Sequence, residues 1–270
     1  MIWLVRREVR REGTRLIHAR SYIPAAVALV VSRITGVPFL FDMRGLWPEE
    51  LIAAGRLRRG SLIHRAIAGA ERACVDRSAG IISLTHSAVE HLRSVYPIEL
   101  ANKRLTVIPT CADLDRFEPA TVRNTGARVH SCIGTVLSGW FRTDWLAAWL
   151  IAAANHDPNA RFDIVTRDDP EKVLEKLGAS EALVERMTIG PSKSQDMPEV
   201  VRGHDLSVMF FTDGLSKLGS SPTRMAEILG SGLPVVANEG VGDVARIIAR
   251  YRVGVIVDGP EPDQMAAALT

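Results

Sequence analysis

A chain of 270 residues, 47% hydrophobic and 24% charged, carries enough apolar material for a sizeable core, which excludes an intrinsically disordered polymer. Its longest uninterrupted apolar run, residues 23–31, contains Pro24 and falls far short of the ~20 residues that span a bilayer. The net charge of +2 conceals 18 basic against 12 acidic residues in 1–120 and 15 against 19 in 121–270. Arginines cluster at 6, 7, 10, 11 and 15 and at 56, 58 and 59, yet no nucleic-acid motif or aromatic platform accompanies them. They read as solvated helix faces or as a contact for anionic lipid headgroups.

Short apolar runs alternate with amphipathic stretches from end to end, so the predicted fold class is α/β, with parallel sheets covered by helices. Strands are predicted at 16–19, 38–42, 80–84 and 105–108, with helices near 24–35, 61–77 and 86–94, and Pro109 closes that block. Further strands are predicted at 129–134, 160–166, 187–189, 206–211, 234–237 and 254–257, with helices near 142–155, 170–177, 196–202, 222–230 and 243–250. Residues 113–126 carry turn formers and charge with little apolar periodicity. They are the predicted linker, giving domains of 1–118 and 119–270.

Three widely spaced cysteines, Cys74, Cys111 and Cys132, argue against a disulfide framework. Of the seven histidines only His86 and His91 form a close pair, at a spacing unsuited to one helix face, so no zinc site is predicted. The opening Met1–Arg7 places its charges after a very short apolar stub, the wrong order for a secretory leader, and a cytoplasmic location is expected.

The most informative stretch is Ser220–Asn238. Ser221 suits a helix N-cap and Pro222 the first helical position, and the free amides of the first turn favour an anion such as phosphate. Glu227, five residues beyond Pro222, would meet hydroxyls of a longer ligand, as in a ribose on a diphosphate. The same residues also suit a plain helix start with Met225, Ile228 and Leu229 packed on a sheet. Asp42 and Arg44 end a predicted buried strand, where a charged couple faces a ligand or stitches two loops together. Arg20 ends the preceding strand, and Thr85 with His86 follows the next one, either as a polar contact or as a helix start.

Four blocks, His18–Tyr22, Phe41–Glu50, Val107–Phe117 and Ser220–Val244, resemble the retaining glycosyltransferases of family 4. Residues Gly134–Phe141 are similar to the glycine loop of a subgroup associated with bacterial surface polysaccharides. The resemblance implies the GT-B architecture, two Rossmann-like domains with parallel sheets facing across a cleft. Here the N-terminal domain would be incomplete, since it opens on what resembles the family's fourth strand. A segment of a longer enzyme is expected, with a nearly whole donor site, an incomplete acceptor site and an exposed strand edge.

By the same resemblance, Glu227 would bind the ribose, and Gly219 stands where the family has its other motif glutamate. Thr135 and Trp140 stand where the family's Arg and Lys neutralise the diphosphate, leaving Arg142, Lys217 and Arg224 as substitutes, Arg224 first. Gly134, Ser221, Pro222 and Thr223 complete the donor-binding set. Arg224, Asp42 and Arg44 are the catalytic candidates, and Arg20, Glu50 and His86 lie on the acceptor side. The expected reaction moves a sugar, with retention, from a nucleotide-diphosphate donor to a glycan or polyprenyl-linked acceptor in bacterial cell-surface polysaccharide synthesis. It needs no cofactor and no obligatory metal, and the chain would sit at the inner face of the membrane. A non-hydrolysing nucleotide-sugar 2-epimerase, with Asp42 and Glu49 or Glu50 as acid and base, and a non-catalytic nucleotide-binding remnant are the alternatives.

Overall fold

The computed structural model describes residues 1–121 and 126–270; residues 122–125, part of the predicted linker, lie outside the described residues. The chain divides into two compact units, Met1–Pro109 with Gly214–Ser221, and Thr110–Asp213 with Pro222–Thr270. Two corrections to the expected boundary follow. The division after the first block falls at Pro109, and the eight residues Gly214–Ser221 pack with the first unit.

The first unit runs α1 (Ile2–Arg11), β1 (Ile17–Arg20), α2 (Tyr22–Thr35), β2 (Phe39–Met43), α3 (Trp47–Ala53), α4 (Leu62–Arg77), β3 (Gly80–Ser83), α5 (His86–Val95), α6 (Pro97–Leu100) and β4 (Leu105–Val107). Its four strands form a parallel sheet in the order β1-β2-β3-β4. The strand Phe39–Met43 is almost uninterruptedly apolar because helices cover both faces. Phe39, Phe41, Met43, Ile81 and Leu92 are buried there, each contributing ~1.5–3 kcal/mol of apolar transfer. Helix α2 stops where Gly36 turns left-handed at φ 75°. The segment 214–221 enters as a single 3₁₀ turn, Leu215–Lys217, anchored by Leu218 on the core and by a hydrogen bond from Thr85 Oγ1 to the Leu218 carbonyl.

The second unit runs β5 (Val129–Ile133), α7 (Thr143–His156), β6 (Arg161–Val165), α8 (Pro170–Leu177), α9 (Glu181–Val184), β7 (Met187–Gly190), α10 (Met197–Arg202), β8 (Leu206–Met209), α11 (Thr223–Gly230), β9 (Val235–Ala237), α12 (Val244–Tyr251), β10 (Gly254–Ile256) and α13 (Pro262–Ala267). Its six parallel strands lie in the order β10-β9-β8-β5-β6-β7. The chain starts at the centre, winds out one way through β6 and β7, then returns to β8 on the other side. That reversal leaves a switch point at the carboxyl ends of β5 and β8, where open α/β sheets take their ligands.

Trp149, Phe162 and Phe210 fill this core, and Trp149 Nε1 donates to His130 Nδ1 at 3.2 Å. Burial lowers the His130 pKa to about 4, so the ring is neutral near pH 7. The first part of the expected linker is packed: Phe117 is buried against Val165, Met197 and Val201.

Candidate functional site

In the second unit, the loop after β5 opens with Gly134 at φ 129°. Asp168 holds that loop: its Oδ2 accepts from the amides of Val136 (2.7 Å) and Leu137 (3.1 Å) and from Thr166 Oγ1 (2.9 Å). Those two amides are therefore committed to a carboxylate. Asp168 was not predicted, and its signal was the Thr166-x-Asp168 spacing just after a strand.

Arg142 stands at the switch point. Its amide donates to the Phe210 carbonyl at 2.9 Å, its guanidinium lies 4.9 Å over the Trp145 ring, and Nη2 reaches Asp213 Oδ1 at 3.4 Å. Its Nε is buried with no hydrogen-bond partner. Asn238, after β9, accepts from the Phe211 amide at 2.8 Å and donates to the Phe211 and Glu239 carbonyls, clamping the ends of β8 and β9.

Helix α11 begins at Thr223, so Pro222 occupies the cap position, no side chain caps the helix, and the predicted cap Ser221 lies one residue outside. The Ser-Pro reading thus placed the start one residue early. Arg224 and Glu227, predicted to act separately on phosphate and ribose, form an ion pair one turn apart, with side chains 43% and 15% exposed. The pairing holds the Glu227 carboxylate in one orientation and leaves the Arg224 guanidinium half open to solvent.

In the first unit, Asp42 is buried at the end of β2 with His18 Nε2 on its Oδ2 at 3.1 Å, while its Oδ1 has no partner. The charged couple expected between Asp42 and Arg44 is thus an Asp42–His18 pair. Arg20 is exposed opposite Asp42 in the β1–β2 register, and Arg44 is half-buried. Between them Ser21, a non-glycine residue, sits at φ 77°, and its amide is held by the Asp42 carbonyl at 2.8 Å. Thr85 caps α5 by accepting from the Ala88 amide at 3.1 Å, and His86 is that helix's first residue.

Glu50 and Lys217 act on each other electrostatically. Burial raises the Glu50 carboxyl above its usual range, against the pull of Lys217, and burial lowers Lys217 to about 8. Position 219 has no room for a side chain: a Cβ there would lie 2.9 Å from Gly45 Cα and 3.1 Å from the Leu46 amide nitrogen.

A second group in this unit escaped sequence reasoning. Glu71 is buried in α4 and accepts from the Tyr22 and Tyr96 hydroxyls, each at 3.0 Å. It borders a cavity of about 210 Å³ that Glu49, His64, His91 and Tyr96 also line. In sequence Glu71 was one more charged position on an amphipathic helix. Among the described residues, no group of three or more His, Cys, Asp or Glu is arranged to hold a metal ion.

Residues 1–116 match the family model described as Glycosyltransferase Family 4. No curated protein matches the sequence. Among solved structures, the fold is similar to the lipopolysaccharide outer core galactosyltransferase WaaB, with TM-score 0.68 and 12% identity over 99% of this chain and 68% of that one. Anabaena HepE in complex with UDP gives 0.67 and 16%, over 98% and 70%. Sucrose-phosphate synthase from Thermosynechococcus elongatus gives 0.65 and 16%, over 99% and 66%. The chain therefore spans about two thirds of the length of these structures. Its first 116 residues carry the family 4 glycosyltransferase pattern, and nearly its whole length follows the α/β fold, with parallel sheets, of GT-B glycosyltransferases.

Proposed function

We propose that this chain is the donor-binding part of a retaining glycosyltransferase that moves a sugar from a nucleotide diphosphate to a glycan or polyprenyl-linked acceptor in bacterial surface-polysaccharide synthesis. The observation that carries the reading is Arg142, a guanidinium at the sheet's switch point with a buried Nε that nothing in the unit uses. A diphosphate oxygen would satisfy it. The first-turn amides of α11, with Pro222 and Thr223 at its start, favour the same charge. Glu227 would take the ribose hydroxyls, oriented by Arg224, and Gly134 leaves the loop after β5 without a side chain. The bound UDP in HepE is consistent with a nucleotide ligand on this fold.

The mechanism proposed needs no protein nucleophile and no obligatory metal. Arg142, Arg224 and the helix amides stabilise charge as it develops on the departing diphosphate, which takes up the acceptor's proton. In the first unit, Asp42, with Arg44, Arg20 and His86, would position the acceptor; the unused Asp42 Oδ1 is an acceptor for its hydroxyl. Arg142→Met should weaken UDP binding about 10- to 100-fold, the worth of ~1.5–3 kcal/mol for a hydrogen bond to a charged group, with thermal stability little changed. Unchanged UDP affinity, measured by calorimetry, would remove Arg142 from the site.

A cytoplasmic, peripheral membrane position is part of the same proposal. No helix among the described residues is long and apolar enough to cross a membrane. The first unit does present Leu62 and Ile63, 83% and 68% exposed, just after Arg56, Arg58 and Arg59. Apolar tips flanked by guanidiniums suit an anionic bilayer surface at ~1 kcal/mol per basic residue. The chain should co-sediment with phosphatidylglycerol-containing vesicles and not with phosphatidylcholine alone. The double variant Arg56→Ala/Arg58→Ala should weaken that binding about 30-fold, and equal binding to both vesicle types would contradict it.

A further inference from the structure

The second unit has a cavity of about 480 Å³ at the amino ends of its strands, the end away from the switch point. Val129, Arg161 and Met187, the first residues of β5, β6 and β7, border it. Its volume falls within the ~300–1,000 Å³ of small-molecule sites. Strand β6 supplies an anomaly there. Phe162, Ile164 and Val165 are buried, as suits an inner strand of a parallel sheet, yet Asp163 stands among them and lines the cavity. Its partner is His204, whose Nε2 lies 2.8 Å from Asp163 Oδ2; the imidazole is 2% exposed and the carboxylate 25%.

An ionised carboxylate only accepts, so the shared proton lies on Nε2, and the neutral ring leaves Nδ1 as a bare acceptor. That Nδ1 is buried without a hydrogen-bond partner, and His204 borders the cavity. Three more carboxylates line it: Glu185, just after α9, and Asp196 and Glu199 at the start of α10. The two guanidiniums of the lining are held by backbone oxygens. Arg186 donates to the carbonyls of Ala154, Asp157 and Ala160, and Arg161 donates to the Glu185 carbonyl at 3.2 Å.

The chemistry of this lining restricts its ligand. Four carboxylates and a bare imidazole nitrogen all accept, so a phosphate would be repelled and a cationic donor attracted. A chelated metal ion is a poor guest, because no group of three or more His, Cys, Asp or Glu among the described residues is arranged to hold one. Val129, Phe162, Met187 and Val200 add apolar surface between the charges. An aliphatic chain carrying several ammonium groups meets both demands, with its methylenes on the apolar residues and its N–H groups on the acceptors.

We propose that this cavity binds a linear polyamine, with Asp163 and His204 receiving one ammonium group and Asp196 and Glu199 another. The site is independent of the glycosyltransferase reading, since none of its residues serves the diphosphate or the acceptor.

Calorimetry at fixed ionic strength would titrate spermidine, magnesium ion and trilysine into the whole chain and into its Asp196→Asn/Glu199→Gln variant, each shown folded by circular dichroism. Both changes lie on exposed positions. Spermidine should bind saturably and more tightly than magnesium. The variant should lose about fivefold in affinity, which is ~1 kcal/mol shared by two exposed charge pairs. Nitrogen-15 NMR would locate the ligand: spermidine should shift the His204 ring nitrogens and the Thr188 amide, with or without UDP present. The proposal is overturned if spermidine does not bind, if magnesium binds as tightly, if the variant binds unchanged, or if the His204 resonances stay still. Preferential binding of trilysine would overturn it in favour of a basic peptide. UDP binding is measured separately and decides none of these outcomes, so failure of the donor-site reading leaves this test intact.

Discussion

Glutamate at position 219 should weaken the first unit by about 3 kcal/mol, the upper end of the usual range for overpacking a close contact. The resemblance to family 4 would make Gly219→Glu look like a repair, since a glutamate is expected there. The structure opposes it. The atoms a Cβ would meet are the backbone of Gly45 and Leu46 at 2.9 to 3.1 Å, and a backbone cannot rotate aside as a side chain does. The added carboxylate would also approach Glu50, whose charge is already poorly solvated. The segment 214–221 should therefore be displaced, taking Leu218 off the core and the Thr85 hydroxyl off the Leu218 carbonyl. Denaturant unfolding of wild type and variant measures the loss. A variant as stable as wild type would show that these backbones are not in contact.

Glu71→Leu should cost about 3 kcal/mol, because a buried hydroxyl left without a partner loses ~1–3 kcal/mol and packing around the cavity changes too. The loss falls mostly on Tyr96, for Tyr22 has a second acceptor in the Gly45 carbonyl at 3.2 Å. Glu71→Gln keeps one acceptor oxygen and should cost less. Its pH dependence has a definite sign. Burial, with Glu49 adding to it, holds the Glu71 carboxyl above its ordinary 4.5 against the two tyrosine hydroxyls. The folded chain thus keeps that proton to higher pH than the unfolded chain. The resulting stabilisation is complete below 4.5 and is lost as pH rises through the raised value. Wild type should lose stability relative to Glu71→Gln on going up through that window. A gap that moves the other way in denaturant titrations would contradict the buried, proton-holding carboxylate.

Much of the fold was legible because its signals are local. All ten strands announce themselves as short apolar runs bounded by Gly, Pro or polar turns, and the parallel arrangement follows from the helices between them. Helix α1 was not among the predicted helices: its apolar residues Ile2, Trp3, Leu4 and Val5 form one short run before the arginines, and only Val9 is buried. The return of residues 214–221 to the first unit was not legible. It depends on one apolar anchor and on a hydrogen bond between residues 133 positions apart.

Asp42 lies in β2, Arg142 caps the start of α7 and Glu227 lies within α11, and the pairings of the candidate residues were misread from sequence. The partners His18 for Asp42 and Arg224 for Glu227 come from strand register and helix spacing, which single positions do not reveal. Asp168 and Glu71 were overlooked because a loop clip and a buried helix carboxylate look like ordinary surface charge until the surrounding amides and hydroxyls are in place.

The central claim is that the second unit binds a nucleotide diphosphate, and the direct measurement is calorimetric titration of UDP, GDP, ADP and CMP into wild type and Glu227→Ala. Micromolar binding of one diphosphate, weakened at least about tenfold in the variant, is the predicted result, since loss of a charged hydrogen-bond acceptor is worth ~1.5–3 kcal/mol. A folded wild type that binds none of the four would contradict it and leave α11 as a helix start with an internal Arg224–Glu227 pair.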